Sequence, residues 1–183
     1  GRVCKVEAGI NSAFVDIGHH TAGFLNASDG QVCGSSGKNP KSIQELYREG
    51  DSILVQVIRD PSEGKGAKLT TLCDLVGQSI VLRMGRNGTS ISSRLKDDVK
   101  LAKLEELLGE YSNIETGFVV RTKSRYFSEI QIRNEARKLL QEQSSILSSQ
   151  KKTKPPKCLY IPLDPIMAYL RDIEFWNLKR III

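Results

Sequence analysis

The chain has 183 residues, with 27 Lys and Arg against 21 Asp and Glu, a formal charge of +6, 39% hydrophobic and 26% charged residues. This is the balance of an ordinary globular protein of one domain or two small ones, and no stretch approaches the ~18 apolar residues of a membrane span. Residues 1–75 carry 8 basic and 9 acidic side chains, whereas residues 76–183 carry 19 and 12, so the positive excess lies wholly in the second part. A basic half suits a polyanionic partner such as nucleic acid, although Lys and Arg also serve simply to solvate helices. The chain opens on Gly1 without a signal-peptide pattern, as a fragment would.

Residues 1–75 read as short strands and turns. Val3 and Val6 flank a first strand punctuated by Gly9 and Asn11, Ser12–Ile17 is a second, and Ala22–Leu25 a third. A polar tract from Ser28 to Pro40 reads as loop, and Ser42 stands as N-cap of a helical turn. Ile53–Ile58 is the strongest strand signal, and Asp60–Gly64 turns the chain into Ala67–Thr71. Five short β segments with Gly-rich turns predict a small barrel. The period then changes. Leu101, Leu104, Leu107, Leu108 and Tyr111 predict a helix over 97–111, and Gly117–Arg121 a buried strand. Ile132, Ala136, Leu139, Leu140, Gln143 and Leu147 predict a helix over 128–147, followed by a linker from Ser148 to Pro156. A short helix over 165–172 and a strand over 178–183 complete an α/β second part, and the whole is α+β.

Cys4, Cys33, Cys73 and Cys158 form no CxxC pair and have no nearby His, so they read as buried free thiols of a reducing compartment. His19 and His20 fall in a turn without an accompanying nucleophile, which favours a surface role over acid–base catalysis. The cluster Lys151, Lys152, Lys154 beside Pro155 and Pro156 reads as a loop with some capacity for phosphate contact. Phe14 and Phe24 lie ten residues apart on neighbouring strands. A Phe in a small barrel is usually core, but aromatics exposed on such a sheet stack on unpaired bases.

The residues around these rings decide between the two roles. Val3, Val6 and Gly9, then Ala13-Phe14-Val15-Asp16-Ile17-Gly18, then Gly23-Phe24-Leu25, resemble the S1 RNA-binding domain of the OB-fold group. Ile53-Leu54-Val55-Gln56-Val57-Ile58 with Asp60-Pro61, then Lys65-Gly66-Ala67-Lys68-Leu69-Thr70-Thr71 and Leu75-Val76-Gly77, resemble the ribonuclease E/G family more closely. Thr89–Leu95, Gly117–Thr122 and Leu170-Arg171-Asp172 extend the resemblance almost end to end.

The resemblance implies an S1-type OB-fold domain over 1–76 whose start is truncated. It implies an RNase H-like α/β subdomain over 77–183 that ends before a catalytic domain. By the same resemblance Phe14, Phe24 and Lys65 contact single-stranded RNA. Arg121 and Thr122, with Ile91 and Ser92 closing over them, form a pocket for a 5′-monophosphate. A guanidinium forks onto phosphate oxygens and a hydroxyl adds a hydrogen bond. The sequence departs from the family where Thr89-Ser90 replaces Gly-Gly and Ser93 replaces an Arg; Lys123 and Arg125 bring charge of their own. The family is made of endoribonucleases active in RNA processing and decay. Their hydrolysis needs Mg2+ in a further domain, where metal-bound water attacks the phosphodiester. This chain shows no candidate catalytic carboxylate pair: Asp97, Asp98 and Asp164 read as helix-start residues, and Asp172 and Glu174 lack partners. It is therefore expected to bind RNA without cleaving it. The resemblance further implies a bacterial cytoplasmic or plastid location and a homo-oligomeric full-length form. A non-catalytic RNA-binding adaptor or chaperone, and a protein-interaction domain, remain the alternative roles.

Overall fold

A computed structural model describes residues 1–30, 42–91, 99–113 and 115–162. The elements expected over 165–172 and 178–183, together with Cys33, Ser92, Ser93, Asp97, Asp98, Asp164, Asp172 and Glu174, lie outside the described residues.

Strands β1 (Arg2–Glu7), β2 (Ser12–Asp16) and β3 (Gly23–Asn26) form an antiparallel meander. Their alternation sets the two faces. Ala13, Val15 and Leu25 are fully buried, while Phe14 and Phe24 between them are only half-buried, because successive side chains in a strand point to opposite faces. Asn11 takes a left-handed conformation, φ 48°, between β1 and β2, one that Asn tolerates better than most residues. Its Oδ1 accepts the Ile43 N–H at 2.8 Å and so anchors the one-turn helix α1 (Ile43–Leu46). β4 (Gln56–Arg59) and β5 (Lys68–Thr70) pair antiparallel, and β5 lies parallel beside β3. The sheet order is β1-β2-β3-β5-β4.

The edges of this sheet meet at a short seam. Val3 N–H donates to the Asp51 carbonyl at 2.9 Å, Gly50 N–H to Val3 at 2.8 Å and Ile53 N–H to Gly1 at 3.0 Å, around an Arg2–Ser52 bridge. The expected small barrel is thus a curled five-stranded sheet joined through this seam, with no continuous β1–β4 ladder among the described residues. The strand expected over Ile53–Ile58 is observed as β4 from Gln56, while Ile53 bonds the Gly1 carbonyl in the seam.

The second sheet has β6 (Asp74–Val76), β7 (Ile80–Met84), β8 (Gly88–Ile91) and β9 (Thr116–Val120) in the order β6-β7-β9-β8, with β8 and β9 parallel. Helices α2 (Val99–Gly109) and α3 (Glu129–Lys152) complete it. Ser128 begins α3 with a capping box: its Oγ accepts the Gln131 N–H at 3.3 Å, and Gln131 Oε1 accepts the Ser128 N–H at 2.8 Å. Ile132, Ala136, Leu139, Gln143 and Ile146 form the buried stripe of α3.

Two expectations need correction. Residues 148–152 are helix and not linker, because no Gly or Pro interrupts the chain before Pro155. The thiols are not uniformly buried: Cys73 is, whereas Cys4 and Cys158 are exposed.

The chain is α+β and has two apolar cores among its described residues. One gathers around Val3, Val15, Leu25 and Leu69, the other around Leu82, Leu108, Phe118 and Ile132. Gln56 joins the sheets. Its Nε2 donates to the Asp74 carbonyl at 3.0 Å, and its Oε1 accepts the Asp74 N–H at 2.8 Å.

Candidate nucleic-acid interface

Phe14 on β2 stands directly opposite Phe24 on β3 in the antiparallel register. The rings pack edge to face, with centroids 6.0 Å apart and planes at 68°, the arrangement that the aromatic quadrupole favours. Both sit on the sheet face away from the core and keep part of their surface in solvent. They therefore form a rigid two-ring platform supported from below by Ala13, Val15 and Leu25.

Lys65 is exposed in the tight turn into β5, where Ser62 and Lys65 exchange backbone hydrogen bonds of 2.9 and 3.1 Å. The following Gly66 passes so close to β3 that a Cβ there would lie 1.9 Å from the Ala22 carbonyl oxygen. Only glycine permits this approach, which fixes where the Lys65 turn meets the ring-bearing strand.

Sequence reasoning missed the cations that the strand register aligns with the rings. The register places Lys5 of β1 opposite Phe14, and Lys68 of β5 opposite Phe24, with Arg59 of β4 next to Lys68. The alternation Ala67-Lys68-Leu69, with Ala67 and Leu69 buried, was the available signal for Lys68. Lys5 is ion-paired to Glu7, and Lys68 to Asp29 at 3.0 Å. The hydrogen bond to Glu7 and then its charge hold the Lys5 ammonium above its ordinary pKa.

The second group of expected site residues gathers on the other sheet. Ile91 ends β8 opposite Val120 of β9, and Arg121 and Thr122 follow β9 directly. Ile91, Arg121 and Thr122 thus share one end of the parallel β8–β9 pair. Thr122 is exposed and opens a short 3-10 turn that also carries Lys123 and Arg125. Arg121 is half-buried, and its Nη1 donates to the Gly77 carbonyl at 2.7 Å.

Glu135, also missed, organises the turn that Arg121 touches. Its carboxylate accepts from the Gln78 N–H, from the Ser79 hydroxyl and, at 3.0 Å, from the Ser79 N–H. No spacing in the sequence links α3 to this turn. The ring pair and the Arg121 group lie on different sheets and are not brought into one site. His19 and His20 are exposed between β2 and β3, with ring centroids 5.6 Å apart. Among the described residues no three His, Cys, Asp or Glu gather closely enough to hold a metal ion. No helix among the described residues is long and apolar enough to cross a membrane.

Ribonuclease G of Escherichia coli K12 is 32% identical over 188 residues, covering 99% of this chain and 38% of that protein. Ribonuclease G of Haemophilus influenzae is 34% identical over 190 residues, with 99% and 38% covered. Ribonuclease E of a Nostoc species is 29% identical over 185 residues, covering 100% of this chain and 27% of that protein. The chain thus spans well under half the length of these relatives. The sequence profile of the ribonuclease E/G family matches residues 74–183, from β6 onward, and the chain belongs to that family.

Proposed function

We propose that this chain is the RNA-recognition segment of a ribonuclease E/G-type endoribonuclease and holds single-stranded RNA on the face of its first sheet. The observation that carries this reading is the Phe14–Phe24 platform, two half-exposed rings packed against each other on the outward face. Unpaired bases have π-faces that stack on such rings irrespective of sequence, each worth roughly 1–3 kcal/mol. Phosphodiester hydrolysis, with its Mg2+, belongs in this reading to the part of such enzymes outside the stretch that this chain matches.

The test is fluorescence anisotropy with an unstructured oligoribonucleotide. Phe14→Ala combined with Phe24→Ala is expected to weaken binding by about tenfold or more, since about 1.4 kcal/mol is a factor of ten. Affinity equal to that of the unsubstituted chain would falsify the stacking role.

We assign Arg121 and Thr122 to a 5′-monophosphate, with Ile91 at the same strand end; Ser92, expected to join them, lies outside the described residues. Supporting this are their position at one strand end and the positive excess of residues 76–183. A 5′-monophosphorylated RNA is expected to bind several-fold tighter than its 5′-hydroxyl counterpart, and Thr122→Ala is expected to narrow the gap. Equal binding of the two RNAs by the unsubstituted chain removes the assignment. Thr122 is the informative position, because Arg121 also bonds the Gly77 carbonyl and its loss disturbs that turn.

A further inference from the structure

The rings are the middle of a longer row. Reading across the first sheet, the register aligns Lys5 of β1, Phe14 of β2, Phe24 of β3, Lys68 of β5 and Arg59 of β4. Laterally paired residues project from the same sheet face, and strands lie about 4.8 Å apart, so this row spans roughly 19 Å. Two aromatic surfaces therefore stand between one cation on one side and two on the other. The sheet is irregular where the outer cations enter: the β1–β2 register shifts between Val3 and Lys5, and the β4–β5 register between Val57 and Arg59. A β-bulge at such a shift re-aims side chains. Lys5 and Arg59 are exposed, and Lys68 keeps 41% of its side-chain surface in solvent. Lys5 and Lys68 already hold carboxylates, Glu7 and Asp29, on the first sheet's own elements.

We infer that Lys5, Lys68 and Arg59 are phosphate-binding residues flanking the two-ring platform, and that an RNA strand crosses the sheet along this row, its phosphates displacing Glu7 from Lys5 and Asp29 from Lys68. This rests on the RNA-binding reading of Phe14 and Phe24 and adds to it the path of the backbone across the strands. The exposed ion pairs favour such an exchange, because exposed pairs contribute only about 0–1 kcal/mol. A phosphate backbone brings several charges at once and releases its condensed counterions.

Salt titration separates cations from rings. Affinity of the 183-residue chain for an unstructured oligouridylate is measured over a series of NaCl concentrations. For a single strand each phosphate contact contributes about 0.7 to the slope of log affinity against log salt. Lys5→Gln, Lys68→Gln and Arg59→Gln are each expected to flatten the slope by about that amount, and the triple variant by about two. Phe14→Leu with Phe24→Leu is expected to lower affinity at every salt concentration and leave the slope unchanged. Glu7→Gln with Asp29→Asn is expected to tighten binding. Thermal melting checks each fold, and should the triple variant not fold, Lys5→Gln and Arg59→Gln decide singly, since both sites are exposed on edge strands. Unchanged slopes in the cation variants overturn the inference while leaving the stacking reading intact. Flattened slopes with no effect of the Phe variants support the row and overturn the stacking. Weaker binding by the Glu7/Asp29 variant overturns the exchange.

Discussion

Cys73 is buried in the core of the second sheet, unlike Cys4 and Cys158. Burial, then the neighbouring Asp74 charge, pushes its thiol up to about 11. The thiolate is the reactive form, so Cys4 and Cys158 are expected to alkylate at pH 8 well before Cys73, as mass spectrometry of the labelled chain will show. The same shift has a stability consequence. Cys73 gives up its proton less readily folded than unfolded, so its contribution is intact below pH 9 and is lost as pH rises toward 11. Urea titrations at pH 8 and pH 10.5 are expected to show a loss that Cys73→Ala reduces, by about 1–3 kcal/mol at full titration. A pH dependence identical in the two proteins contradicts it.

At the scale of elements, what could be read from the sequence follows how local its cause is. Phe14 and Phe24 were readable as a pair because β2 and β3 are joined by a short turn, and a hairpin register follows from alternation. α3 was readable because its apolar spacing repeats over several turns, and only its end was misplaced. β7 and β8 were not recognised. Gly85 and Gly88, at φ 73° and 81°, mark the turn between them, but β8 finds its partner β9 only beyond α2. Lys5, Lys68 and Arg59 are harder to read: Lys5 and Arg59 stand where the β1–β2 and β4–β5 registers shift, and Lys68 meets Phe24 only through the parallel β3–β5 pairing of strands distant in sequence. The role of Glu135 lies still further from local pattern, since its acceptors serve a turn 56 and 57 residues away.

Across the whole molecule, the two sheets keep separate cores, and Gln56 bridges them by pairing its side-chain amide with both backbone groups of Asp74. This amide serves as an extra strand residue at the junction. Beside it a cavity of about 470 Å³ opens between the sheets, walled by Leu54, Val55, Met84, Ile146 and Leu159. With Leu54 packed on the second core beside it, this bridge is expected to govern whether the two cores unfold together. Gln56→Ala is expected to cost about 1–3 kcal/mol by leaving the Asp74 groups unpaired, and to broaden or split the calorimetric transition. A single sharp transition at an unchanged midpoint refutes the coupling. The division also accounts for the charge asymmetry. Residues 1–75 have almost no net charge, yet their cations are not scattered: the register collects Lys5, Lys68 and Arg59 beside the rings.

The parallel β3–β5 pairing sets a schedule for the protein during its synthesis. The β1–β2–β3 meander contains both rings and can form before β5 is synthesised, since its contacts are local. Lys68 takes its place beside Phe24 only after the connection through α1 and β4 has been made, and a parallel strand always requires such a long crossover. A nascent chain therefore displays the ring pair with Lys5 alone before it acquires Arg59 and Lys68. In the proposed row Lys68 arrives last, with β5, so chain growth orders the aromatic surface before the cation aligned with Phe24.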